Sequence, residues 1–125
     1  MSSRSKKWAR STYSNHKHIK KIPFEKDVTI SVLNKLMEDN LGKQCIYCGK
    51  TLDFENEEKH RPTLDIINPR KPVSLDNIQI ICKQCNNLKK RMSHAKFVMF
   101  RQTPEYLRQV RCFSGKYPAK ITGRL

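Results

Sequence analysis

The sequence has no run of about 18 consecutive apolar residues, the length that a transmembrane helix needs. Residues 1–21 are basic and lack the apolar stretch of a secretory signal. No segment repeats at the period of a solenoid. These absences predict a cytoplasmic protein without a membrane partner. In that compartment, paired cysteines indicate metal ligands before disulfides.

Acidic residues are nearly missing from both ends of the chain. Residues 1–24 contain seven Lys or Arg and no acid, and residues 86–125 contain ten basic residues with Glu105 as their one acid. Residues 25–85 contain nine basic and ten acidic residues, within a chain of formal net charge +15. This distribution predicts a near-neutral centre held against a nucleic acid by basic flanks. The alternatives are a solvated basic surface and a tail bound to the ribosome.

The 125 residues fit one domain with tails. We predict a basic flexible arm over 1–22, a central domain over 23–113 and a basic tail over 114–125. In the arm, Trp8 and Tyr13 either stack on bases or anchor the arm to the core.

Apolar periodicity and turn residues predict an α+β order of elements in the central domain. A packing helix is expected over 26–41, ended by Gly42, and a last helix is expected after a cap at Thr103. Between them we predict short strands at 62–67 and 77–81, then one helix from Cys82 to about Arg101. On that helix a stripe of four residues is expected to face the core: Leu88, Met92, Ala95 and Met99.

Two Cys-x-x-Cys pairs, Cys45 with Cys48 and Cys82 with Cys85, predict one tetrahedral Zn²⁺ site. Four thiolates leave no open coordination position, so this zinc is expected to be structural. Thirty-three residues separate the two pairs, whereas a plain zinc ribbon has about 15–20. The additional length carries strand, turn and strand before the helix, which predicts a ββα unit clamped by the metal.

Two polar residues of this unit are candidates for chemistry. Asp65 stands alone as an acid in an apolar strand, where an unpaired carboxylate is costly. Asn86 lies in the first turn of the following helix, which folds back across the strands. Together they could bind Mg²⁺ or another hard cation. The alternative pairs Asp65 with Arg61 or Arg70 and makes Asn86 a helix cap, and spacing alone does not choose between the two.

A family resemblance favours the metal-binding interpretation. Residues 63–69, TLDIINP, and residues 76–90, DNIQIICKQCNNLKK, resemble the HNH endonuclease signature. More narrowly, they are similar to zinc-knuckle HNH nucleases of phages and mobile elements, and the resemblance covers about residues 45–91. It implies a small α+β fold with a zinc-clamped ββα-metal core, flanking helices and basic tails. It also implies a DNA endonuclease that hydrolyses phosphodiester bonds with a divalent metal.

The resemblance assigns roles to individual residues. Asp65 and Asn86 would hold the catalytic divalent ion, and Asn77 would pin the loop between the strands. The four cysteines would hold the structural zinc. Six residues near this core are expected to contact nucleic acid: Lys89, Lys90, Arg91, His94, Arg70 and Lys71.

One position departs from the family pattern. Many members carry His directly after the Asp as general base, and here that residue is Ile66, so a weak or inactive enzyme is one expectation. Asn68, which could orient a water, and His60 or His94 are the candidates to fill the role. The rival functions are a non-catalytic zinc-containing nucleic-acid-binding protein and a ribosome-bound structural zinc protein.

Overall fold

The computed structural model describes residues 3–19 and 24–112. These residues form five α-helices and one two-stranded sheet, so the predicted α+β class is confirmed. The elements in chain order are α1 Ser3–Ser14, α2 Ile30–Asn40, β1 Pro62–Ile66, β2 Ile78–Cys82, α3 Lys83–Lys89, α4 His94–Phe100 and α5 Pro104–Cys112. None of these helices is both long and apolar enough to cross a membrane.

The two strands lie within one residue of their predicted bounds and pair antiparallel, with Pro62 opposite Cys82 and Ile66 opposite Ile78. This register places Asp65 directly opposite Gln79. The chain passes from β2 into α3 without a loop, because Cys82 is both the last strand residue and the N-cap of the helix. Strand, strand and helix therefore follow one another around the second cysteine pair.

The predicted packing helix is α2, which starts later than expected. Thr29 caps it by accepting a hydrogen bond from the backbone N–H of Val32 at 3.1 Å. Leu33 and Met37, one turn apart, are fully buried. Gly42 follows the helix with φ +89°, a left-handed conformation that favours glycine, so the predicted stop at this residue is confirmed.

The single helix predicted from Cys82 to about Arg101 is wrong. α3 ends at Lys89, and the backbone turns at Lys90, which has a positive φ of 51°. The backbone N–H of His94 then donates to the carbonyl of Ile67 at 3.0 Å instead of continuing the helix. Ser93 caps the new helix α4.

The break also changes which residues of the predicted stripe reach the core. Leu88 is buried and Met92 is half-buried, but Ala95 is exposed and Met99 keeps 69% of its surface exposed. Phe97 takes the buried position on α4. The restart at Ser93 resets the helical phase, so a periodicity continued from α3 points the wrong residues inward.

The prediction of a flexible arm over 1–22 is wrong for residues 3–19. They form α1 and a π-helical turn, Asn15–Ile19, whereas residues 1–2 and 20–23 lie outside the described residues. α1 packs on α2, with Ala9 fully buried and the Ser5 hydroxyl donating to Asn34 at 2.8 Å. Trp8 and Tyr13 pack against the core, as the anchoring alternative requires.

The C-terminal helix follows its predicted cap. Thr103 Oγ1 accepts a hydrogen bond from the backbone N–H of Tyr106 at 3.2 Å, with Pro104 as the first residue of α5. Tyr106 packs edge-on against Phe97 and Phe100, which closes the core beside the cysteines. The predicted tail 114–125 lies outside the described residues.

Candidate functional site

The four cysteine side chains converge on one point. The sulfurs of Cys45, Cys48, Cys82 and Cys85 all lie within 4.8 Å of one another, and Sγ of Cys48 is 3.5 Å from Sγ of Cys82. Ligands about 2.3 Å from a tetrahedral zinc are themselves about 3.8 Å apart, so these spacings fit such an ion. The predicted metal-ligand cluster is therefore present.

Local backbone structure holds each pair of sulfurs. In the first turn, the N–H of Gly49 donates to the carbonyl of Cys45 at 2.9 Å, and Gly49 has a φ of +80°. In the second, the thiol of Cys82 accepts a hydrogen bond from the backbone N–H of Cys85. Both turns present two sulfurs from one side of the chain.

The electrostatics of the cluster favour a bound cation. The neighbouring side chain of Cys48 lowers the pKa of Cys45, whereas the side chain of Cys45 raises the pKa of Cys82 and of Cys85. Four thiolates at this separation repel one another unless a positive ion lies between them. The donor set can therefore hold one structural metal ion such as Zn²⁺.

Asp65 is buried on β1 and fully engaged by neighbours. Its Oδ2 accepts a hydrogen bond from Gln79 Nε2 at 2.8 Å, and its Oδ1 lies 3.1 Å from Nζ of Lys89. Burial raises the pKa of Asp65, while Gln79 and the Lys89 charge oppose that rise. The counter-charge is Lys89, and not Arg61 or Arg70 as the alternative interpretation expected.

The predicted contact between Lys89 and nucleic acid is wrong. The Lys89 side chain is fully buried, and Nζ also donates to the carbonyls of Ile66 at 3.0 Å and Ile67 at 3.3 Å. Since an ammonium enclosed in this way does not reach solvent, it cannot meet a phosphate from this position. Lys90 and Arg91, the next two residues, are exposed.

Asn86 faces β1 and does not cap α3, because that cap is Cys82. Its Nδ2 donates to Thr63 Oγ1 and to the carbonyl of Leu64, both at 2.9 Å. The two bonds fix the orientation of the amide against the strand that carries Asp65. The alternative in which Asn86 caps α3 is therefore wrong.

A cavity of about 740 Å³ brings Asp65 and Asn86 together. It lies between β1, the start of α3 and the loop that follows β1. Beside this pair it is lined by Ile66 and by three cationic side chains, Lys71, Lys90 and Arg91. Carboxylate, amide and cations in one cavity form a surface suited to a phosphate and a divalent ion.

The side chain of Asn77 holds the loop between β1 and β2 in place through hydrogen bonds to the loop backbone. Its Oδ1 accepts from the backbone N–H of Asn68 at 2.9 Å, and its Nδ2 donates to the carbonyls of Asn68 at 3.0 Å and Pro72 at 2.9 Å. These are the contacts of a loop-pinning asparagine. They hold the segment that supplies Lys71 to the cavity.

Asn68 and His94 line a second cavity, of about 670 Å³, which shares Glu25, Lys71 and Pro72 with the first. Asn68 lies beyond the end of β1, and its Oδ1 accepts from the backbone N–H of Arg70 at 3.0 Å. Asn68 is therefore not part of the strand that carries Asp65 and Ile66. His94 Nδ1 lies 2.7 Å from the hydroxyl of Tyr47, so it faces the first cysteine turn.

His60 does not line the cavity that contains Asp65, so the prediction that His60 could be the general base is wrong. It ends a short 3₁₀ turn, Glu58–His60, and is buried with 7% of its surface exposed. Burial lowers its pKa, and its Nε2 is 3.9 Å from Glu57. It is absent from the residues that line the cavity.

Three residues near the site were not foreseen from the sequence: Lys89 as the partner of Asp65, Gln79 and His16. Gln79 donates both to Asp65 and, at 3.2 Å, to the hydroxyl of Tyr47, which links the first cysteine turn to the acid. His16, from the N-terminal segment, lines the same cavity as Asp65. The alternation of β2 could have identified Gln79, but no local pattern marks His16.

No family model, curated protein or solved structure matches this chain. Its function therefore has to be inferred from the motif and from the arrangement of the residues themselves.

Proposed function

We propose that the protein is an HNH-type DNA endonuclease that hydrolyses phosphodiester bonds with a divalent metal ion and is held together by one structural zinc. The observation that carries this proposal is the cavity shared by Asp65, Asn86 and three cationic side chains. The two polar residues are those that the motif assigns to the catalytic metal.

The order of elements supports the same proposal. The cysteine pairs lie at the two ends of the segment that contains β1, the pinned loop and β2, and α3 follows directly. This is the arrangement expected of a zinc-clamped ββα-metal nuclease core. Asn77 has contacts that fit its proposed place in the motif.

In this proposal Asp65 and Asn86 hold the catalytic ion through a carboxylate and an amide oxygen, ligands that suit Mg²⁺. Each carboxylate oxygen has two lone pairs, so the bonds from Gln79 and Lys89 do not exhaust Asp65 as a ligand. When bound, such an ion supplies charge stabilisation for the displaced oxygen. Lys89 opposes the rise in the pKa of Asp65 that burial causes, and it fixes the orientation of the carboxylate.

Exposed cations around the cavity are proposed to bind the DNA backbone. Lys90 and Arg91 follow α3, and both also line a neighbouring basic pocket of about 570 Å³ together with Arg70 and Lys96. Phosphate contacts of this kind position the duplex without reading its sequence. The scissile bond would then lie next to Asp65.

Plasmid cleavage tests this function. The purified protein is incubated with supercoiled plasmid with Mg²⁺, with Mn²⁺ and without added divalent metal. We expect nicked or linear product only where divalent metal is added, and none from Asp65→Asn. Asp39→Asn is the matched control, because Asp39 is exposed on α2 and its carboxylate pairs with Lys35 at the surface.

The second candidate function is a zinc-containing nucleic-acid-binding protein without chemistry. Two observations favour it: Ile66 in place of the usual base, and the Lys89 ammonium already next to the Asp65 carboxylate. A wild type that binds DNA and cleaves it under neither metal would establish this alternative and reject the nuclease.

A further inference from the structure

His16 is a buried imidazole on a segment outside the motif. It lies in the π-helical turn after α1, with 5% of its surface exposed. Its ring stacks on Phe24 with centroids 4.7 Å apart and an interplanar angle of 26°. Phe24 in turn pairs through its backbone with Val73, in the loop between the strands. These contacts fix the ring beside the nuclease-like core.

The position of this ring relative to the motif is specific. His16 lines the cavity that also contains Asp65, Asn86 and Ile66. The chain has four histidines, all within the described residues, and neither His60 nor His94 lines this cavity. His18, two residues further on, is exposed. The N-terminal segment therefore contributes a histidine to the cavity that contains Ile66, the residue that stands in place of the usual base.

We propose that His16 is the general base of this site, supplied by the N-terminal segment in place of the residue missing at position 66. This inference rests on the proposed nuclease function. The imidazole nitrogen accepts a proton from the attacking water, whose oxygen forms the new bond to phosphorus. The bond from phosphorus to the displaced sugar oxygen breaks, and that oxygen takes a proton from solvent water. Imidazole exchanges protons near neutral pH, which suits this role.

Neighbouring charges are consistent with this role. Lys71, Lys90 and Arg91 line the same cavity and would hold the phosphate that the water attacks. Asp65 and Glu25 are the acids that line it. In such a cavity the proposed metal ligands come from β1 and α3, the phosphate contacts from the pinned loop and the two residues after α3, and the proton acceptor from the N-terminal segment.

Plasmid cleavage by full-length variants tests the assignment. His16→Gln should cleave about 10²–10⁴-fold more slowly than wild type, the usual contribution of a general base. The matched control His18→Gln changes an exposed histidine of the same turn and should cleave like wild type. A merely structural role for His16 predicts that His16→Phe, which retains the aromatic stack on Phe24, is active. A base predicts that His16→Phe is as slow as His16→Gln.

Two further measurements separate the possible outcomes. Free imidazole should accelerate His16→Ala but not wild type, because it can enter the space left by the ring and accept the proton. If thermal melting shows that His16→Gln does not fold, the cleavage rate of His16→Phe relative to wild type tests the proposal instead. A His16→Phe protein that cleaves within a few-fold of wild type while Asp65→Asn is inactive overturns the role of His16 and leaves the nuclease standing. If the wild type fails to cleave with any divalent metal, both the role of His16 and the nuclease function are rejected.

Discussion

The ammonium group of Lys89 lies 3.1 Å from the carboxylate of Asp65, and neither side chain has more than 3% of its surface exposed. A buried charge is tolerated only when it is paired and hydrogen-bonded, and here each partner satisfies the other. Asp65 receives a second bond from Gln79, and Lys89 donates to two backbone carbonyls. The proposed metal ligand is thus also a structural element of the core.

Removing one member of this pair should destabilise the protein strongly. We expect Asp65→Ala to lower the free energy of unfolding by about 3–5 kcal/mol, because it leaves the Lys89 ammonium buried without its counter-charge. Lys89→Met should have a similar cost. The double variant Asp65→Leu/Lys89→Met should recover most of the loss, since an apolar pair of this kind packs without unpaired charge. Urea denaturation with zinc present measures all three.

The control for this cycle is the exposed pair of Lys35 and Asp39 on α2. Its removal should change stability by less than about 1 kcal/mol. If the stability loss of the double variant equalled the sum of the two single losses, the coupling between Asp65 and Lys89 would be contradicted. For the same reason, cleavage assays should use Asp65→Asn and confirm its folding before loss of activity is attributed to the metal site.

The cysteine cluster makes a second prediction. Thiolate coordination is coupled to folding, so Cys82→Ser should lose the metal and unfold the strand–helix unit. Cys82 is fully buried and also caps α3, and because serine is a favoured N-cap residue, this substitution removes the metal ligand and keeps a side chain that can cap the helix. Metal analysis by mass spectrometry should find about one zinc per wild-type chain. Cys112→Ser, which changes none of the four clustered cysteines, should keep the zinc. A folded Cys82→Ser protein without metal would reject the structural role.

The cysteine cluster could be predicted because its information is local: each pair lies in one turn, and spacing determines the geometry. The neighbouring positions of Asp65 and Asn86 depend on strand register and were also foreseeable. The partner of Asp65 was not, since Lys89 lies among Lys90 and Arg91 and resembles a solvent-exposed cation in sequence.

The N-terminal helix α1 was missed for a related reason. Its fully buried positions are the small residues Ser5 and Ala9, and its two large aromatic residues, Trp8 and Tyr13, do not form the repeated apolar stripe that marks amphipathic helices. The break between α3 and α4 was missed because Lys90 adopts a positive φ without being glycine. Both features depend on tertiary contacts with α2 and Ile67, which no local pattern encodes.

His60 predicts a pH dependence of stability. Burial lowers its pKa in the folded protein below its ordinary value of 6.5, so the unfolded chain binds the proton more tightly. Its contribution to the free energy of unfolding is therefore complete above pH 6.5 and is lost as the pH falls from there towards the folded pKa. Wild type should lose more stability than His60→Gln over that interval.

Urea denaturation of both proteins at about pH 7.5 and about pH 5.5 tests this dependence. The comparison with His60→Gln subtracts the contribution of groups that titrate alike in both proteins. Equal losses in wild type and His60→Gln would show that the imidazole titrates alike in the folded and unfolded chains. The buried Nδ1 of His60 has no hydrogen-bond partner within the described residues, which is consistent with a neutral ring.

The final prediction concerns the basic face of α1. Because this helix packs on α2 through Ser5 and Ala9, deletion of residues 1–21 would remove core contacts together with charge. Substitution of the exposed cations Lys6, Lys7 and Arg10 by Gln removes charge alone. If they bind DNA, affinity should fall and the slope of log Kd against log salt should flatten by about 0.9 for each phosphate that the variant no longer neutralises.

The matched control is the triple variant Lys35→Gln/Lys43→Gln/Lys50→Gln, which removes the same charge from exposed positions on α2 and on either side of the first cysteine pair. Fluorescence anisotropy with a labelled duplex at several salt concentrations measures both variants. A DNA-binding surface on α1 requires the slope to flatten more in the first variant than in the second, because released counterions report local phosphate neutralisation and not net charge. Equal slopes in the two variants would mean that α1 contributes only general attraction, and the DNA-binding residues would then have to lie around Lys90 and Arg91.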